Sequence, residues 1–168
     1  MASVLLDIPV ERMTGRGAGL STEGLNRKIT AIKKAIALHQ PDKTDAIDVL
    51  SKVGGFDIAA IVGLFLGGAA LHIPVLIDGV ISATGALAAA TICPLAKDYM
   101  LATHVSKEPA GALLLEALGK EAPLYCDMCL GEGTGALNLF PLLDTGLAVY
   151  NQMGDFGNWG MDAYQPLD

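Results

Sequence analysis

The chain is 168 residues long and carries 11 Lys plus Arg against 18 Asp plus Glu, a formal charge of −7 with its three His neutral. That length suits one domain with its own core, because a chain of this size buries about two-thirds of the surface it exposes when unfolded. The acidic balance, a pI near 4.8 and no basic run longer than a pair such as Lys33-Lys34 exclude a broad nucleic-acid footprint, which needs clustered positive charge.

The apolar fraction is 52% with only 5% aromatics, and the mean hydropathy is +0.46, so small aliphatic residues dominate and closely packed elements are expected. The longest uncharged runs are Ile58–Leu71, 14 residues, and Gly79–Ala96, 18 residues broken by Gly85 and Pro94. A longer span would centre His72 or Asp78 in lipid, where an Asp costs about 2.5–3.5 kcal/mol. No membrane span is therefore expected. The opening Met1–Pro9 has no basic segment of the kind that begins a secretory leader, and the cytoplasm is the expected compartment. The three Cys, an odd number, fit a reducing environment. Cys126-Asp-Met-Cys129 has C-x-x-C spacing, but it has no second pair for zinc and opens no expected helix, so it reads as small buried residues rather than as a redox or metal site.

In chain order, Leu25, Ile29, Ile32 and Ile36 fall at helical spacing with Arg27, Lys28, Lys33 and Lys34 on other faces, which predicts an amphipathic helix capped by Ser21 or Thr22 and stopped by Pro41. A shorter helix is expected from about Thr44, with Ile47, Leu50 and Val53 inward and Gly54-Gly55 as its end. Beyond Gly55, short β-prone runs alternate with longer helical ones. Ile73–Ile77, Tyr99–Thr103 and Leu124–Met128 read as strands. The helices expected after them run from Val80 to Ile92, from Pro109 onward, and from the Gly131–Gly135 turn to about Met153. The fold class is thus α/β: an open, mostly parallel sheet flanked by helices in Rossmann-like layers, preceded by an amphipathic helical segment. Residues 154–168 are Gly- and Asp-rich and read as a loosely ordered tail after an α/β portion spanning 1–153.

Ligands of open parallel sheets bind at the carboxyl ends of the strands. Asp78, then His104, Ser106 and Glu108, then Glu132 and Thr134 stand at those ends, although an Asp or Ser there also serves as a helix cap. Gly131-Glu-Gly-Thr-Gly135 is the sharpest signal: glycines allow close backbone approach, and a helix N-terminus offers N–H groups to an anion. It lacks the lysine of an ATP-binding loop and the spacing of a dinucleotide loop. A carboxylate between glycines would repel phosphate, and a general base aimed at substrate explains it better than a structural turn. Gly15-Arg-Gly-Ala-Gly19 is a second glycine-rich loop, where Arg16 could meet a phosphate and Lys28 lies further along the helix; a solvated surface is the alternative for both.

Five blocks in order, Gly15–Leu20 (GRGAGL), Gly54–Ala59 (GGFDIA), Ile73–Gly79 (IPVLIDG), His104–Pro109 (HVSKEP) and Leu130–Ala136 (LGEGTGA), resemble the nicotinate-nucleotide:dimethylbenzimidazole phosphoribosyltransferases of cobalamin lower-ligand synthesis. The resemblance implies attack of a benzimidazole ring nitrogen on the anomeric carbon of nicotinate mononucleotide, releasing nicotinate and giving α-ribazole 5'-phosphate. It makes Glu132 the general base and gives Gly131, Gly133, Thr134 and Gly135 the shaping of its pocket. Leu130 would face the flat base, Asp78 and Ser106 would hold the nucleotide, and Gly17 and Lys28 would lie near its phosphate. Neither metal nor cofactor is implied, and the small-molecule substrates are joined by a second copy in a homodimer. Two departures stand out: Cys129 occupies a position where many members have Arg, and members carry a further N-terminal half, so this chain resembles a C-terminal portion of their large domain. A noncatalytic nucleotide- or aromatic-base-binding module is the alternative.

Overall fold

Small side chains set how closely the middle of this chain packs, and that closeness decides the architecture. The computed structural model describes residues 1–17, 19–162 and 164–166; Ala18 of the first glycine loop and Ala163, Leu167 and Asp168 of the expected tail lie outside the described residues. The elements are α1 (Ala2–Leu5), α2 (Val10–Met13), α3 (Thr22–His39), α4 (Ala46–Val53), α5 (Phe56–Ala70), β1 (Val75–Ile77), α6 (Val80–Ile92), a 3₁₀ turn (Pro94–Tyr99), β2 (Met100–Ala102), α7 (Gly111–Leu118) and α8 (Thr134–Gln152).

Helix α6 is the centre. Its residues Ala83 through Ala90 are buried without a break, as a helix apolar on every side requires. Helices α4, α5 and α7 and the 3₁₀ turn pack around it, and Phe65, Ile77, Met100, Leu114 and Leu118 supply the largest fully buried side chains. Helix α5 comes close because Gly85 has no side chain: a Cβ there would stand 2.6 Å from Cγ2 of Ile61. Strands β1 and β2 are parallel, with Val75 opposite Met100 and Ile77 opposite Ala102. The pairing continues as an isolated parallel bridge from His104 to Leu124. Parallel strands joined through a buried helix put the ends of β1 and β2, and so Asp78 and His104, on the same edge.

The α/β class and the bounds of α6 agree with the sequence, and two of the expected strands form, each shorter than the runs that predicted it. Ser21 caps α3, its hydroxyl accepting from the Gly24 amide at 3.1 Å. Other expectations fail for identifiable reasons. Leu124–Met128 is not a strand: it follows β2 only through the Val105 amide on the Leu124 carbonyl (3.0 Å) and the Lys107 amide on the Met128 carbonyl (2.9 Å), because Asp127 at φ 51° turns the chain between them. Ile47 is exposed, since α4 rests on Ala46 and Val49 instead. Helix α5 was hidden as a helix by apolar residues on all its sides. Cys126 and Cys129 are exposed rather than buried, as they lie on the loop that replaces the third strand. The described part of the tail is exposed and makes its own turn, with the Trp159 and Met161 amides on the Phe156 carbonyl. Among the described residues no helix is long and apolar enough to cross a membrane.

Gly85→Val should lower the denaturant midpoint without changing its slope, by about 1–3 kcal/mol of stability, because overpacking against Ile61 forces α5 and α6 apart. Urea unfolding followed by circular dichroism measures this directly.

Candidate active site

The carboxylate of Asp78, at the end of β1, reaches across 55 residues of sequence to the start of α8. Its Oδ2 accepts the Gly133 amide (3.1 Å) and its Oδ1 accepts the amides of Gly135 (2.7 Å) and Ala136 (3.2 Å). The Thr134 amide and hydroxyl both turn back to the Gly131 carbonyl, at 3.1 and 2.8 Å. All the N–H groups at the head of α8 are therefore engaged, which corrects the expectation that they stand free for an anion. Asp78 acts as a cap, but of a distant helix rather than of α6, which follows it.

This anchoring positions the glycine loop. Gly131, Glu132 and Gly133 are all left-handed, with φ of 78°, 57° and 79°. Glycine adopts that conformation freely, whereas a glutamate there is strained by about 1–2 kcal/mol. Glu132 is exposed, and its carboxylate makes no hydrogen bond or ion pair with any described residue, so nothing in its surroundings explains a glutamate structurally. Gly135 is required by crowding: a Cβ on it would fall on the His104 imidazole and 2.8 Å from Oδ1 of Asp78.

Asp78, His104, Ser106, Glu108, Leu130, Gly131, Glu132 and Gly133 line one cavity of about 460 Å³, with Ile61, Val80 and Ile81 as apolar wall. That volume falls within the range of small-molecule sites, about 300–1,000 Å³. Ser106 is buried, and its Oγ accepts the Glu108 amide at 3.3 Å, leaving its hydroxyl hydrogen available to a ligand. Leu130 is 70% exposed at the mouth, an unsatisfied apolar surface beside Glu132. The three turns that the sequence placed at strand ends thus converge, although the third follows a loop rather than a strand. Thr134 and Gly135 stand behind the loop rather than on the wall. Sequence reasoning missed the wall residues Ile61, Val80 and Ile81; the signal for the last two was their place directly after Asp78-Gly79.

The first glycine loop is not part of this cavity. Arg16 is spent within it, on the Leu20 carbonyl (2.8 Å) and the Thr22 hydroxyl (3.1 Å). Lys28 donates to the Gly15 carbonyl at 3.0 Å, and Gly17, left-handed at φ 58°, lies beside the Lys28 ammonium. Gly15 abuts Pro109, where a Cβ would stand 2.9 Å from the ring, so the loop touches the chain one residue beyond Glu108 of the cavity wall. Among the described residues no three His, Cys, Asp or Glu side chains converge as metal ligands would.

Asp78→Ala should leave the amides of Gly133, Gly135 and Ala136 without acceptors, costing about 1–3 kcal/mol for each amide that stays buried. Hydrogen exchange at those amides should accelerate, while the α6 amides change only with global stability.

A phosphoribosyltransferase family model, DBI_PRT, matches residues 1–160. The chain is 51% identical over 166 residues to the nicotinate-nucleotide–dimethylbenzimidazole phosphoribosyltransferase of Acetivibrio thermocellus, covering 99% of this chain and 47% of that protein. It is 49% identical to the protein of the same name from Ruminiclostridium cellulolyticum, covering all of this chain and 48% of the relative. A crystal structure of CobT from Thermus thermophilus superposes with a TM-score of 0.88 at 37% identity, covering 96% of this chain and 48% of that one. The chain spans about half the length of the curated relatives it matches. Likeness of this extent in sequence, and in the backbone that carries the Asp78-anchored loop, leaves one conclusion: the chain belongs to the DBI_PRT phosphoribosyltransferase family.

Proposed function

We propose that this chain carries the base-bearing side of a phosphoribosyltransferase site that joins nicotinate mononucleotide to 5,6-dimethylbenzimidazole or a related base, yielding α-ribazole 5'-phosphate and nicotinate in cobalamin synthesis. The relatives' names supply the substrates. The observation that carries the reading is Glu132, a strained, exposed carboxylate with no partner among the described residues, held at the mouth of a cavity by the Asp78 cap.

In this reading one ring nitrogen of the base attacks the anomeric carbon of the nucleotide while Glu132 takes the proton from the other. The bond from that carbon to the nicotinate nitrogen breaks, and its electron pair neutralises the pyridinium charge, so nicotinate leaves without protonation and no metal is called for. Leu130 and the isoleucine wall would receive the flat, apolar base. Ser106 would donate to the nucleotide. Asp78, whose oxygens are occupied by α8 amides, would contribute mainly by holding Gly131, Gly133, Thr134 and Gly135 in place. Gly17 and Lys28 would meet the phosphate by way of the Gly15 contact with Pro109. Residues 1–153 would form a C-terminal α/β portion of the relatives' large domain, with 154–168 as a tail, acting in the cytoplasm.

A homodimer belongs to the same proposal. Helix α8 buries only Gly135 and Leu139, while Leu137, Phe140, Leu147 and Tyr150 are exposed along it. So much exposed apolar surface favours an interface. Coverage of half the relatives' length keeps a noncatalytic base- or nucleotide-binding module as the second reading.

Incubating the chain with nicotinate mononucleotide and dimethylbenzimidazole should give α-ribazole phosphate by mass spectrometry, and Glu132→Gln should reduce turnover by about 10²-fold or more. Glu132→Gly should be equally inactive yet as stable as the parent or more so, because it relieves the left-handed strain. Binding without turnover would select the noncatalytic module. Leu147→Glu should shift the chain toward monomer in sedimentation if α8 forms the dimer contact.

A further inference from the structure

His104 is 3% exposed, lines the cavity beside Asp78 and Glu132, and has no part in the chemistry above. Its neighbour Thr103 fixes its hydrogen bonding. The Thr103 hydroxyl lies 2.7 Å from the Ile77 carbonyl, an acceptor only, and its single hydrogen must go there. Oγ1 then has only lone pairs to offer Nδ1 of His104, 3.1 Å away, so Nδ1 must carry the proton. In the neutral imidazole the other nitrogen is bare. Nε2 forms no hydrogen bond with any described residue and is not a sealed, partnerless atom, so it opens on the cavity. Gly135, whose missing Cβ leaves room for the ring, keeps it seated there.

We propose that His104 is a further ligand-binding residue of the Glu132 site: its Nε2, which the Thr103 contact on Nδ1 leaves as the acceptor of the neutral ring, accepts a hydrogen bond from an O–H donor of the substrate. The inference rests on the phosphoribosyl-transfer reading, in which the ring N–H of the base belongs to Glu132 and the donor left for Nε2 is a ribose hydroxyl of the nucleotide. A buried acceptor beside an apolar wall discriminates against ligands that lack the donor, because an unmatched polar group is left desolvated.

The test combines ring-nitrogen NMR with binding, on the whole 168-residue chain. Nitrogen-15 spectra should show a protonated Nδ1 and a bare Nε2 on His104, and in separate titrations nicotinate mononucleotide, not dimethylbenzimidazole, should move the Nε2 resonance. His104→Asn keeps an N–H near the Nδ1 position and removes Nε2, so it should fold like the parent and bind the nucleotide about tenfold more weakly. His104→Gln, which returns an acceptor near the Nε2 position, should recover part of the loss. A protonated Nε2 overturns the inference. So does parental affinity of the Asn variant for the nucleotide, which leaves the transfer reading intact. A parent chain that binds neither ligand overturns the transfer reading and the His104 contact together.

Discussion

Everything distinctive about the cavity depends on one carboxylate meeting three amides. Asp78 stands where β1 ends, and its oxygens take the N–H groups of Gly133, Gly135 and Ala136 at the head of α8. A carboxylate at a helix N-terminus gains both from hydrogen bonds to donors that no intrahelical carbonyl can reach and from the positive end of the helix dipole. Here the same contact has a second consequence. It joins the buried α6 and β1 unit to a helix that otherwise touches the body little, since α8 buries only Gly135 and Leu139. The position of Glu132 relative to the β-strand edge is therefore set by Asp78, and the glycines around Glu132 are free to take the backbone the loop needs.

That division of labour explains why the strain is tolerated. A left-handed glutamate costs about 1–2 kcal/mol, and hydrogen bonds to a charged acceptor contribute about 1.5–3 kcal/mol each. Three such bonds outweigh one strained residue, so the loop holds a conformation the glutamate itself disfavours. The outcome is a carboxylate with no partner among the described residues to neutralise or redirect it. A structural glutamate would be found the other way round, paired and in relaxed backbone, as Glu11 is with Lys33 on the surface, where the lysine contact lowers its pKa.

How legible each part was in the sequence follows from the range of the interaction that makes it. The Ser21 cap, the α6 bounds between Gly79 and Cys93, and the turn of Gly131–Gly135 into α8 are written in neighbouring residues, and they read correctly. Helix α5 did not, because its apolar residues surround the axis and leave no 3.6-residue signal, and Gly63, Gly67 and Gly68 imitate a breaker pattern. The run Leu124–Met128 has the composition of a strand, yet one left-handed residue, Asp127, ends its extension. The convergence of Asp78 and Ser106 was inferable from the rule that parallel strands present their carboxyl ends together, whereas Glu132 joins them from a loop that follows no strand. The choice of Asp78 to cap α8 was not, since its partners lie 55 to 58 residues away and only packing brings them near.

The exposed face of α8 bears on the site through the same cap. Leu137, Phe140, Leu147 and Tyr150 are turned to solvent on a helix whose first turn carries the loop with Glu132. With so few buried anchors along 19 residues, the helix has little besides Asp78 to hold its direction. A surface that covers those side chains would fix α8 along its length, and with it the approach of Glu132 to the cavity. In the proposed reading association and proton transfer would share a structural element: the exposed apolar residues lie on the helix whose first turn carries the Glu132 loop. Ordering that helix by association rather than by more core inside the chain would let it serve both, with the Asp78 cap holding the loop and the covering surface setting its aim.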